Sequence, residues 1–256
     1  IYETPVGFRS IGVVSTDRGR QISINDSIVP IYAVDYVDDY PNRGPSMSWR
    51  QMELDVSLMK TLGVNVVRVR NGSPHPYFLS LCDRYGLMVM AELPTSDVPS
   101  DMILQEELLA RYRNASERSI TYLDTHPSVI AIGLSDGLEE GSDAVAHHHA
   151  TLVQLYRKLS AKMLFKVVPA GLYDRTSEGG FDIIVVRFST TQDRTRFERI
   201  VQALPKAFRS AAVLTEFGSR LSPSNTNGFS DPLSNEAQAL VVRDCFRASM
   251  SAGLAG

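Results

Sequence analysis

Glu216 has the surroundings that most narrowly limit what chemistry this chain can do. It closes a short apolar run, Ala211-Ala212-Val213-Leu214-Thr215, and stands directly before Phe217-Gly218. A carboxylate at the end of a buried strand is costly unless it lines a polar pocket or is salt-bridged there, so Glu216 is either a reactive group or one half of a structural ion pair. Asp136 stands in a comparable place, after the run 129–134 and before Gly137. Glu139 and Glu140 follow in a Leu-Glu-Glu-Gly-Ser run that reads as a solvated lead-in to a helix.

The remaining chemistry-bearing residues read as ordinary structure. His147-His148-His149 lies inside a helical pattern, where adjacent side chains point about 100° apart and cannot jointly face one metal, so the run reads as a solvated helix face. His75, between Pro74 and Pro76, reads as an exposed loop residue or a rim contact. Cys82 and Cys245 fall within helical patterns and fit free thiols better than a disulfide framework. The Asn-x-Ser sequences at Asn25, Asn71 and Asn114 matter only in a secreted eukaryotic protein. With no metal, nucleotide or flavin motif, neither a metal nor any other cofactor is expected.

The elements that must position these residues alternate along the chain. An N-terminal strand pair, 7–14 and 20–29 with a turn at Asn25-Asp26, is followed by seven strand-like runs at 29–37, 64–70, 87–93, 129–134, 164–169, 181–188 and 211–217. Their near-continuous apolar character, as in Asp182-Ile183-Ile184-Val185-Val186, suits parallel strands covered on both faces. The first helix between them is marked by Ser48 with Gln51 as a capping box, by Leu54, Leu58 and Leu62 at helical spacing, and by Gly63 at its end. Further helices fit 76–85, 101–124, 142–162, 192–204 and 234–251. Strands alternating with helices give either a closed barrel or an open doubly wound sheet, and no Gly-x-Gly-x-x-Gly follows any strand. The expectation is a (β/α)₈ barrel whose closing eighth strand is missing or truncated, because the last helix leads directly into Gly253-Leu254-Ala255-Gly256.

The 256 residues match the about 250 typical of one such barrel. A single domain over 1–256 is expected, with 1–28 leading in and 29–256 forming the barrel. A net charge of −3 gives no pull toward nucleic acid or anionic membranes. No apolar stretch approaches the roughly 20 residues of a membrane span. The opening Ile1-Tyr2-Glu3-Thr4-Pro5 reads as mid-protein sequence, so the chain is expected to be a segment of a longer one.

Several pieces of the sequence, taken in order, resemble the catalytic barrel of family 2 glycoside hydrolases, the family of β-galactosidases and β-glucuronidases. Gly7-Phe8-Arg9 and the Ile24-Asn25-Asp26 turn are similar to the family's lead-in from a preceding β-sandwich domain. Asp55 to Gly63, then Asn65-Val66-Val67-Arg68, then Leu81-Cys82-Asp83-Arg84-Tyr85-Gly86-Leu87 resemble its first three βα units. His126-Pro127-Ser128-Val129-Ile130 is similar to the run into strand four, and Leu214-Thr215-Glu216-Phe217-Gly218 to the nucleophile strand. The resemblance covers nearly the whole chain.

It implies a retaining glycosidase, with Glu216 in the nucleophile position and a proton-donating carboxyl at the end of strand four, about 5–5.5 Å away. At strand four the chain departs from the pattern: where the family reads Asn-Glu, Asp136-Gly137 stands, so the acid/base glutamate is absent, and Asp136, one residue early on a strand whose side chains alternate faces, can substitute only if the strand ends in a bulge. Val37 replaces a histidine after strand one, Asn71-Gly72-Ser73 replaces His-Tyr-Pro after strand two, and Arg187-Phe188 replaces an Asn-Tyr-type pair after strand six. Arg68, Glu92 and Arg43-Gly44 remain. The resemblance thus assigns Glu216 and Asp136 as catalytic candidates, and Arg68, Glu92, Asp35, Asn71 and Arg187 as substrate-binding candidates. Two functions follow as expectations: a glycosidase with impaired or altered chemistry, or a non-catalytic pseudo-glycosidase that binds carbohydrate or acts as a scaffold. The expected partners are a carbohydrate and flanking β-sandwich domains of the same chain.

Overall fold

The computed structural model describes residues 7–40, 43–93, 99–103, 105–138, 141–188, 194–218, 221–222 and 224–256. Chain order begins with three short antiparallel strands, β1 (Ile11–Thr16), β2 (Gly19–Ile24) and β3 (Ser27–Ile28). The expected strand pair is therefore a three-stranded sheet. Asn25 and Asp26 both take left-handed backbone angles, φ 49° and 61°, which fits a tight hairpin turn and cuts the expected second strand in two.

The rest of the chain alternates: β4 (Ala33–Tyr36), α1 (Trp49–Thr61), β5 (Val66–Val69), α2 (Pro76–Tyr85), β6 (Met88–Glu92), α3 (Ser100–Ile103), α4 (Glu106–Asp124), β7 (Val129–Asp136), α5 (Asp143–Leu159), β8 (Met163–Pro169), β9 (Ile183–Arg187), α6 (Arg194–Ala207), β10 (Ala211–Thr215) and α7 (Asn235–Ser251). The seven strands β4 to β10 are hydrogen-bonded in chain order, every neighbouring pair parallel. The helix expected over 101–124 is two helices, and the start of the one expected at 192 falls outside the described residues.

The gap between the first and seventh barrel strands is bridged by Leu254–Gly256. Ala255 N–H donates to Ala212 O at 2.9 Å, Leu214 N–H to Gly256 O at 3.1 Å, and Ile31 N–H to Ala255 O at 2.8 Å. These residues act as a rudimentary eighth strand, as the sequence leads one to expect.

Two apolar layers follow from the alternation of side chains along each strand. Val66, Met90, Phe165, Val185 and Val213 fill the barrel interior, while Val67, Val89, Leu164, Ile184 and Leu214 pack outward under the helices. Ile22 of β2 is fully buried in the interior cluster, and Gln21 Nε2 donates to Gly253 O at 2.8 Å, so the small sheet seals the barrel's lower end. The end where the strands finish stays open.

Two sequence readings of the helices need correction. On α1 the buried residues are Met52, Val56 and Met59, whereas Leu54, Leu58 and Leu62 are 54%, 59% and 69% exposed, on the opposite side of the helix from the barrel. Of the three histidines on α5 only His147 is solvated. His148 and His149 are buried, and His149 Nε2 lies 2.8 Å from Ser135 Oγ of β7. Burial pushes His148 down to about 4 and His149 to about 3, so both are neutral packing residues of the helix–sheet interface.

A charged cleft at the strand ends

The alternation that fills the barrel interior also decides which side chains reach its open mouth. Val66 points inward, so Arg68 does as well. By the same count Met90 leads to Glu92, Val185 to Arg187 and Val213 to Thr215, while outward Val34 turns Asp35 inward. The apolar interior thus ends in a ring of charged residues one pleat above it.

On β7 strict alternation would turn Ser135 inward and Asp136 outward, since Ile132 and Leu134 pack in the outer layer. The register against β8 shifts there: Gly133 pairs with Phe165 but Asp136 pairs with Val167, three residues advancing against two. This bulge supplies the condition the sequence set for Asp136. Ser135 faces out to His149, and the Asp136 side chain, fully buried, enters the ring.

Arg68 is the hub. Its Nε lies 3.2 Å from Asp35 Oδ1 and 3.0 Å from Glu92 Oε1, and its Nη2 lies 3.6 Å from Asp136 Oδ2 and 3.7 Å from Glu216 Oε1. Arg70 Nη1 lies 2.7 Å from Glu216 Oε1, with Nη2 3.4 Å from Asp136 Oδ2. Arg187 Nη1 is 2.8 Å from Asp136 Oδ1. Thr215 Oγ1 donates to Asp35 Oδ2 at 2.8 Å. Six of the seven sequence-predicted site residues therefore meet through their side chains. Asn71 joins differently, its backbone N–H reaching Glu92 Oε2 at 3.4 Å.

Arg70 is the member that sequence reasoning missed. It stands two residues after Arg68, so the two-residue period already put it on the inner face, and that parity was the available signal. Glu139 and Glu140 lie outside the described residues. His75 is exposed and caps α2, its Nδ1 accepting from Tyr77 N–H at 3.1 Å.

The ring has a dry floor and a wetter rim. Arg68, Glu92 and Asp136 are almost wholly buried, while Arg70, Arg187, Asp35 and Glu216 keep between 19% and 29% of their side chains exposed. Burial pushes Glu92 up to about 7, against the pull of Arg68 and with a contribution from Asp136. Burial also pulls on Arg70, but the Glu216 and Asp136 carboxylates outweigh it and hold its pKa above the ordinary value. Gly133 makes room for this floor, since a Cβ there would stand 2.5 Å from Phe165 Cζ and 3.0 Å from Glu92 Cγ.

Glu216 has φ 52° and Asn71 φ 63°. Asparagine takes the left-handed region readily, as Asn25 does in its hairpin turn, so the strained residue of the rim is Glu216. Gly137, next to Asp136, has φ 79°. Arginine offers only donors, so these groups meet as ion pairs, and Arg70 Nη2 also donates a hydrogen bond to Asp136 Oδ2. Among the described residues no three His, Cys, Asp or Glu side chains come together as metal ligands. No helix of the described residues is long and apolar enough to cross a membrane.

A barrel of parallel strands with its charged side chains gathered at the strand ends is the architecture of the (β/α)₈ enzymes. The family profile for glycosyl hydrolases family 2, TIM barrel domain, matches residues 16–235, and the chain belongs to that family. The chain is 25% identical over 215 residues to β-glucuronidase of Mus musculus, covering 82% of this chain and 32% of that protein. It is 31% identical over 157 residues to β-galactosidase of Psychromonas ingrahamii, covering 58% of this chain and 14% of the other. In structure it is similar to the family 2 β-galacturonidase of Eisenbergiella tayi bound to galacturonate, with TM-score 0.87, 19% identity, and coverage of 98% of this chain and 46% of that one. The chain thus spans a third or less of these two curated relatives' length and under half of the structural neighbour's.

Proposed function

We propose that this domain binds carbohydrate in the cleft centred on Glu216 and that its retaining glycosidase chemistry is impaired or altered. The observation that carries this reading is the clamp of Arg70 on Glu216, beside a strand end where Asp136 and Gly137 stand in place of a proton donor.

In the retaining reaction a carboxylate forms a bond to the anomeric carbon as the glycosidic C–O bond breaks, while a carboxylic acid gives its proton to the leaving oxygen. Glu216 is suited to the first task by its position on the open face. Its Oε1, however, is engaged by two guanidinium groups, which stabilise its charge and reduce its readiness to share electrons. Asp136 is unsuited to the second task, because its Oδ2 accepts from Arg70, its Oδ1 lies 2.8 Å from Arg187 Nη1, and an O–H would find only donors facing it. General acid catalysis contributes about 10²–10⁴-fold, so glycosides with poor leaving groups suffer most from its loss.

The test is to incubate the protein with 2-deoxy-2-fluoro glycosides bearing good leaving groups, in gluco, galacto, manno, glucurono and galacturono configurations, and to read the intact mass with Glu216→Gln as control. A mass gain that the variant lacks supports a competent nucleophile, and the sugar that labels names the specificity. No labelling in any configuration supports the second reading, a non-catalytic pseudo-glycosidase; the pairing of Glu216 with two arginines already favours it. We further read residues 1–256 as one domain that works beside β-sandwich domains of a longer protein, because the relatives are two or more times its length. Limited proteolysis of the longest natural form checks that.

A further inference from the structure

The chain's only tryptophan is set in an unusual place. Trp49 is the first residue of α1 and is 66% exposed. Its ring stacks on Tyr77, the second residue of α2, with centroids 5.1 Å apart and planes 25° from parallel. Each helix follows a barrel strand, so helix beginnings share a side with strand ends: the two rings lie on the face of the barrel that carries the charged cleft.

The pair is held from behind. Tyr77 packs against the outer apolar core, its hydroxyl donates to the Glu53 carboxylate, and its backbone N–H is fixed by His75. The Asp38 carboxyl, pushed up by burial, accepts from the backbone of His75, so the loop leaving β4 meets the start of α2. A preorganised ring surface on the cleft's face of the barrel is therefore bordered by Glu53 and His75, with Arg50 next to Trp49 in the chain, all exposed.

We propose that Trp49 and Tyr77 form a platform for a further pyranose unit of an oligosaccharide whose other end occupies the Glu216 cleft. The proposal rests on reading the cleft as a carbohydrate site. A pyranose has a flat face of C–H groups and a girdle of hydroxyls. The outer face of the Trp49 indole, fixed by Tyr77 stacked behind it, covers the first at little ordering cost, and the polar side chains of Glu53 and His75 at its border meet the second. Two rings bordered by charge are too small for a stable protein contact, which takes about 800 Å² from each partner.

Because Trp49 is the sole tryptophan, its fluorescence reports on the platform alone. The whole chain is titrated with tetrasaccharides of β-linked galactose, glucose and glucuronate, and with the corresponding methyl monosaccharides. The expected result is that one tetrasaccharide series shifts Trp49 emission to the blue and protects it from acrylamide, while the monosaccharide does neither. Trp49→Ala or Tyr77→Ala then weakens tetrasaccharide binding by about tenfold, in line with the added value of aromatic contacts, and leaves monosaccharide affinity unchanged, with folding checked by circular dichroism. If a tetrasaccharide binds and Asp35→Ala abolishes it, yet Trp49 stays open to quencher and Trp49→Ala changes nothing, the platform is wrong and the cleft reading stands. Binding of no saccharide by calorimetry sinks both. Protection of Trp49 by self-association without sugar, seen by ultracentrifugation and removed by Trp49→Ala, overturns the platform in favour of a protein contact.

Discussion

Arg70 Nη1 lies 2.7 Å from Glu216 Oε1, while the same guanidinium reaches Asp136 Oδ2 at 3.4 Å. One side chain therefore ties the end of β10 to the end of β7 across the barrel mouth. Its two carboxylates differ in burial, and that difference ranks the effects of removing them.

Glu216 is partly exposed, and Glu216→Gln leaves Arg70 still hydrogen-bonded to Asp136 and open to water, so the expected cost is about 1 kcal/mol or less. Asp136 is fully buried between three arginines, and Asp136→Ala removes the one carboxylate they share and leaves their charges facing one another, at about 3–5 kcal/mol. Urea unfolding of both variants checks the order. Arg70→Ala is also expected to speed labelling by an activated fluoroglycoside, because the Glu216 oxygen loses its shortest cationic contact.

Glu92 makes stability depend on pH in a stated direction. Burial raises its folded pKa to about 7, above the ordinary carboxyl value of 4.5, so the folded protein binds the proton more tightly than the unfolded chain does. Its contribution is fully present below about 4.5 and is lost as pH rises through 7. Glu92→Gln should remove that loss. Denaturant midpoints of the two proteins, measured from pH 4.5 to 8, are expected to diverge as pH rises, and parallel curves would count against the assignment.

Gly133→Ala is expected to destabilise the protein by about 1–3 kcal/mol, the usual penalty of overpacking a well-filled core. Its methyl would collide with Phe165, a fully buried ring of the barrel interior, and press on Glu92. Thermal melting checks it, and Gly12→Ala, where no atom stands within 4 Å of the added carbon, serves as control.

The two faces of α1 should respond differently to truncation. Met52→Ala removes a buried side chain and is expected to cost about 2–5 kcal/mol, whereas Leu58→Ala on the exposed face should change stability by about 0.5 kcal/mol or less. Comparable losses in urea unfolding would mean that Leu58 is covered in solution.

The sequence by itself determined the barrel and most of its cleft. Apolar β-branched runs separated by capped helices specify parallel strands covered on both sides, and a two-residue period then carries Asp35, Arg68, Glu92 and Arg187 to one open end. The same period puts Arg70, two residues after Arg68, on the inner face of its strand. What only the tertiary structure decided lies where local rules compete with packing. The bulge that turns Asp136 inward depends on how β7 registers against β8, and nothing within Leu134-Ser135-Asp136 fixes that. The burial of His148 and His149 depends on the angle at which α5 meets the sheet, and the exposure of Leu54, Leu58 and Leu62 on which side of α1 meets the barrel. Helical spacing marks an apolar stripe but does not say what covers it, because burial is a property of two surfaces and a sequence window describes one.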